Sequence, residues 1–229
     1  MDQLSHTIMM FSVWALPVLI AITFHEAAHG WTAWKLGDDT AYRLGRVTFN
    51  PIRHVDPVGT LIIPGMLLVF GSPFLFGYAK PVPVAFHRLR NPRRDMMLVA
   101  GAGPAINILL ACASAALLNV IGVLPGAMQN WMAEVIEKSL IINLVLATFN
   151  MIPIPPLDGG RIAVGLLPRS LAEPLSRVEP YGFFLVLGLI FILPLLGQEL
   201  GMDLNIVWHV IVYVVGTLMQ AILGIFTFV

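Results

Sequence analysis

The sequence predicts an all-α polytopic membrane protein with five transmembrane helices and one re-entrant or broken segment. It also allows a small β-hairpin after the first helix. Three observations predict this class. Of 229 residues, 58% are hydrophobic and 11% charged, with a mean hydropathy of +0.84; a soluble domain averages about 45–50% apolar and about 25% charged. Charged side chains leave six apolar stretches, at 4–24, 57–79, 96–124, 139–157, 180–198 and 204–229, near the length of about 20 residues that a helical crossing needs. Finally, the basic residues gather on one side of the membrane if only five of those stretches cross it.

Several classes are excluded by composition alone. The 13 Lys and Arg balance 13 Asp and Glu, so the chain lacks the basic footprint of a nucleic-acid binder. Cys112 is the single cysteine and can form no intrachain disulfide. The N-terminus has no basic region before its apolar run, so no cleavable signal is expected. No repeat, low-complexity tract or long linker is visible. A single membrane-embedded domain over residues 1–229 is expected, with a catalytic core at about 8–165 and C-terminal helices at 180–229.

The elements follow in order. The first apolar stretch runs uninterrupted to Phe24 and ends at a cluster of ionisable residues. Residues 37–57 include Tyr42-Arg43-Leu44-Gly45-Arg46-Val47-Thr48-Phe49, whose partial alternation suits a short hairpin. The stretch at 57–79 is interrupted by Gly59, Pro64, Gly65, Gly71, Pro73 and Gly77. Such a sequence favours a re-entrant segment, tolerated where protein covers its backbone. Charge supports the same reading. If 57–79 turns back, every Lys and Arg except Lys138 falls on one side, the cytoplasmic one; if it crosses, the asymmetry disappears. The expected N-terminus is outside, the C-terminus inside, and the location is the cell membrane.

Chemistry enters at His25-Glu26-Ala27-Ala28-His29, at the inner end of the first span. Helical residues i and i+4 share a face, so both imidazoles converge while Glu26 projects beside them. Two neutral histidines suit Zn2+, and the intervening glutamate suits a base for water that the metal activates. A catalytic zinc site generally takes a third protein ligand. Asp158 is the best candidate, in Asn150-Met151-Ile152-Pro153-Ile154-Pro155-Pro156-Leu157-Asp158-Gly159-Gly160. The topology brings this segment to the same membrane face as His25, and its prolines must break the helix there.

The segments Phe24–Gly30, Gly103-Pro104-Ala105-Ile106-Asn107 and Asn150–Gly160 together resemble the site-2 protease family of intramembrane zinc metalloproteases, in its short form without PDZ or CBS domains. The resemblance covers about residues 8–165. It implies hydrolysis of peptide bonds in membrane-spanning or membrane-associated protein substrates, within or near the lipid bilayer. Zinc would be held by His25, His29 and Asp158, with Glu26 as general base. Asn107 matches a family asparagine that holds substrate or stabilises the reacting carbonyl. Read from its position alone, Asn107 is an amide within an apolar span that needs a partner, and helix–helix bonding meets that need as well.

His54, in Asn50-Pro51-Ile52-Arg53-His54-Val55-Asp56-Pro57, precedes the re-entrant segment and is either a cleft-lining residue or loop packing. The basic cluster Lys80, Arg88, Arg90, Arg93 and Arg94 reads as an anchor beside anionic lipid. Two competing functions are an intramembrane metal transporter and a catalytically silent relative that binds membrane helices. A transporter needs ligands staggered across the bilayer, whereas these cluster at one face. The intact Glu26 argues against a silent relative.

Overall fold

The computed structural model describes residues 3–63, 65–66 and 77–226. Helix α1 (Gln3–Lys35) has 33 residues and is therefore about 50 Å long at 1.5 Å per residue. It exceeds the roughly 30 Å hydrocarbon core, so one helix can enter the bilayer and still present ionisable residues at its far end. Lys35 closes its last turn, where a cation complements the helix dipole. Its ammonium lies 4.7 Å from the Trp34 ring centre and 5.8 Å from that of Trp31. Trp34 in turn stacks on Tyr42 at 4.3 Å, an aromatic group of the type that marks a membrane interface. The helix stops at Gly37, whose φ of 116° reverses the chain while the Asp38 N–H returns to the Ala33 carbonyl at 2.9 Å.

The small hairpin expected within 37–57 does not form; no residue of this stretch is in a strand. Local bonding wins instead. The buried Asp38 carboxylate accepts from the Thr40 amide (3.0 Å), the Thr40 hydroxyl (2.5 Å) and the Ala85 amide (2.6 Å). These bonds start the short helix α2 (Thr40–Arg43), offering the backbone an alternative to strand pairing. Burial pushes the Asp38 carboxyl up, but the Thr40 and Ala85 donors and nearby Arg88 outweigh it and hold the group below its ordinary value.

Most of the 57–79 segment lies outside the described residues, which include only its two ends. Those ends meet. The Tyr78 N–H donates to the Gly59 carbonyl (3.0 Å), and the Thr60 hydroxyl donates to the Tyr78 carbonyl (2.9 Å). Gly59 permits the approach, since a Cβ there would lie 2.5 Å from the Tyr78 ring.

Helix α3 (Pro92–Leu118) packs on α4 (Gly126–Asn150), and α1 lies against both. Helix α5 (Asp158–Leu166) docks on α3. A helical run follows from Arg169 to Glu199, made of α6 (Arg169–Ser176), α7 (Gly182–Leu187) and α8 (Leu193–Glu199), joined through a 3-10 helix at Glu179–Tyr181 and a π-helix at Gly188–Ile192. The last helix, α9 (Ile206–Phe226), covers α4 through a cluster that includes Ala111, Ala115, Leu140, Leu144, Ile211 and Val215.

Polarity is inverted relative to a soluble bundle. Asn107 and Asn143 are fully buried, whereas Leu109, Trp208 and Tyr213 are 62%, 64% and 76% exposed. Such surfaces belong in lipid rather than water. Among the described residues, Pro92–Leu118, Arg169–Glu199 and Ile206–Phe226 are each long and apolar enough to cross a membrane. This is a membrane protein.

Candidate metal centre and active site

Helix α1 fixes the first two donors. His25 and His29 are one turn apart, and their Nε2 atoms approach to 3.0 Å. Each ring is oriented from behind. The His25 Nδ1–H donates to Asn107 Oδ1 at 2.6 Å, and the His29 Nδ1–H donates to the Val99 carbonyl at 2.7 Å. A carbonyl only accepts, so it places the proton on Nδ1 and leaves Nε2 with a bare lone pair.

The third donor comes from the start of α5. Helix α4 ends at Asn150, and Pro153, Pro155 and Pro156 prevent its continuation. The connecting loop is packed too closely for side chains. Gly159 abuts the Met151 backbone and Gly160 the Ile154–Pro155 backbone, while Gly182 of α7 presses on Pro155 from outside. Asp158 is thereby delivered as the first residue of α5. Its Oδ2 lies 3.2 Å from His25 Nε2 and 3.3 Å from His29 Nε2. All three residues are buried.

The donor set fits a zinc ion. Two bare imidazole lone pairs and a carboxylate oxygen cannot hydrogen-bond to one another. Asp158 Oδ2 is buried without a hydrogen-bond partner, a costly arrangement unless a cation is shared. The three ligand atoms lie within 4.8 Å of one another, and their types are those of catalytic zinc sites. Gly103 on α3 leaves the necessary room, because a Cβ there would lie 2.5 Å from His29 Nε2 and 2.7 Å from His25 Nε2.

Glu26 borders the same space, a cavity of about 500 Å³ shared with Asn150, Asp158 and Arg161 and walled by Tyr78, Phe86 and Phe183. One carboxylate oxygen, Oε2, accepts the Val82 amide at 2.7 Å. A larger apolar cavity of about 730 Å³ lies behind the Met151–Ile154 loop, against α8 and α9, and contains none of the ionisable site residues.

The structure favours one of the stated alternatives for each of two further residues. Asn107 does not line the cavity. Its Oδ1 accepts from His25, and its Nδ2 donates to Asn143 Oδ1 (2.8 Å) and the Ala21 carbonyl (3.3 Å). The amide therefore holds the His25 ring and ties it to Asn143 and α1, the helix–helix bonding that its position alone also allowed. His54 also lies outside the cavity. It is 2% exposed, and its Nε2 bonds the Thr48 carbonyl at 2.9 Å, which favours loop packing, although its buried Nδ1 has no hydrogen-bond partner. Sequence reasoning missed Asn143 entirely, although an uncharged amide within an apolar stretch is the same signal that drew attention to Asn107.

The family profile described as Peptidase family M50 matches residues 119–195. The chain is 38% identical over 194 residues to YwhC of Bacillus subtilis, covering 83% of this chain and 84% of that one. It belongs to peptidase family M50. Family members with lower identity are Rip2 of Mycolicibacterium smegmatis (28%, covering 75% of this chain and 64% of Rip2) and MJ0611 of Methanocaldococcus jannaschii (29%, covering 68% and 71%). All three relatives carry zinc-metalloprotease names. No solved structure matches significantly.

In this M50 peptidase the support behind the histidines carries its own expectation. Asn107→Leu removes the acceptor for His25 and the donor to Asn143 Oδ1. Zinc affinity, read by competition with a chromophoric chelator, should fall about 10–100-fold, as losses of such outer partners do. Unchanged affinity would detach Asn107 from the metal centre.

Proposed function

We propose that this chain is an intramembrane zinc metalloprotease that hydrolyses peptide bonds of membrane-spanning or membrane-associated proteins within or near the bilayer. The observation carrying this reading is a buried pair of histidines whose bare Nε2 atoms meet an unpartnered carboxylate inside a bundle with an apolar exterior. His25, His29 and Asp158 would hold the zinc.

When bound, zinc supplies Lewis acidity, making water easier to deprotonate and a peptide carbonyl easier to attack. Glu26 acts as the general base. With Oε2 held by Val82, its other oxygen takes a proton from the attacking water and returns it to the leaving amine. Asn107 and the Val99 carbonyl keep both imidazoles aimed. The apolar cavity walls restrict bulk water and accept a short extended segment of chain. A helical substrate must therefore unwind locally to release its scissile carbonyl, as in recognition modes that bind peptides extended.

The proposed topology has five crossings within a single domain, with the site near the cytoplasmic face of the cell membrane. Bonding between Gly59 and Tyr78 supports a segment that returns to the face it entered from. The test compares membrane proteins in cells producing the active chain or Glu26→Gln. Intact substrates should accumulate with the variant, and the purified variant should retain its zinc. Identical membrane profiles, or continued cleavage by zinc-loaded Glu26→Gln, would defeat the reading.

A further inference from the structure

Residues 77–85, which adopt no regular secondary structure, form a strap along the cavity, with Tyr78, Pro81, Val82 and Val84 in its wall. Its backbone is tied to groups outside the strap on both sides of Val82. The Lys80 N–H donates to the His54 carbonyl (2.9 Å), and the Lys80 carbonyl accepts from Arg46 Nη2 (2.7 Å). Beyond Val82, the Ala85 N–H donates to Asp38 (2.6 Å). Between these ties the Val82 N–H reaches Glu26. Pro81 and Pro83 flank it, fixing φ on both sides and contributing no competing amide donor.

Arg46 is the unusual member of this arrangement. It is only 8% exposed, and its Nε is buried without a hydrogen-bond partner. Burying a guanidinium is costly without a compensating interaction. Burial pulls its pKa below the ordinary value, while the Glu26 carboxylate opposes that shift, which places the two charges within electrostatic reach.

We propose that Arg46 is a positioning residue for Glu26: by gripping the Lys80 carbonyl it fixes the Val82 amide, which holds one carboxylate oxygen and turns the other towards the reacting water. This rests on Glu26 being the base. It assigns the buried arginine and the proline-flanked amide to the peptidase's proton transfer, a role that no side chain of the strap itself could signal.

The test uses the zinc-loaded full chain in detergent, with β-casein as an unfolded probe that needs no unwinding. In Arg46→Met, hydrogen exchange over residues 80–84 should accelerate, where Lys80, Val82 and Val84 supply the only amides. Zinc content should stay unchanged, and kcat should fall by about 100-fold with KM nearly constant, the scale expected when a reacting group is misplaced by about 1 Å. Arg46→Lys, which keeps a charged donor, should recover much of the loss. Val82→Pro deletes the amide donor and, compared with Val82→Ala, which trims the same cavity-wall side chain but keeps the amide, provides the same kcat test if Arg46→Met does not fold. Unaltered exchange in Arg46→Met, or wild-type kcat in Arg46→Met or Val82→Pro, would overturn the proposal. Glu26→Gln separates the two layers: an active Glu26→Gln defeats the base assignment, whereas an inactive one beside a fully active Arg46→Met defeats only the positioning role.

Discussion

Asp158→Ala is expected to lose zinc and proteolysis together. The two histidines would remain oriented by Asn107 and the Val99 carbonyl, but the only anionic donor of the cluster would be gone. Structural zinc sites with four ligands bind with roughly 10–16 kcal/mol, so one ligand accounts for about 3 kcal/mol, or about 100-fold in affinity. Metal analysis of the purified variant, with its helix content checked by circular dichroism, measures the loss. His54→Ala serves as the contrast and should keep its zinc, because His54 lies outside the cavity. Full zinc in Asp158→Ala would mean that another residue is the third ligand.

Gly103→Ala should be nearly as damaging, although it adds only one methyl group. That methyl would lie 2.5 Å from His29 Nε2, 2.6 Å from His25 Cε1 and 2.7 Å from His25 Nε2. Neither ring can swing away without breaking the hydrogen bond behind it. Helix α3 must therefore back off from α1, or the imidazoles must give up their aim. Overpacking of this kind costs about 1–3 kcal/mol, and here the cost falls on the metal-binding arrangement. Zinc affinity should drop about 10–100-fold, as when the hydrogen bonds that orient metal-binding histidines are lost, and thermal stability should fall modestly. Wild-type affinity would show that the space above Gly103 is not used by the metal.

The parts of the site readable from sequence were those that depend on local geometry or on charge. The convergence of His25 and His29 follows from helical spacing, and the charge pattern led to the expectation that Asp158 lies at the same face, where the three ligand atoms are found together. What Asn107 does was not readable, because it depends on the rotation of α3 relative to α1 and α4. Four residues upstream on the same helical face, Gly103 carried the clue: a glycine beside Pro104 signals close approach, but not which side chains approach. The hairpin expectation failed because weak alternation lost to the donors gathered by Asp38. The Val82 tie was invisible, since a backbone amide has no residue type to announce it.

The contact between Gly182 and Pro155 has a consequence for biosynthesis. Asp158 is held in place by a loop whose outer face rests on a residue made later, with the Arg161–Glu179 ion pair (3.0 Å) beside it. Chains emerge from the ribosome with the N-terminus first, so His25, Glu26 and His29 are inserted long before that buttress exists. The loop that carries Asp158 can therefore rest on this support only after residue 182 has been made.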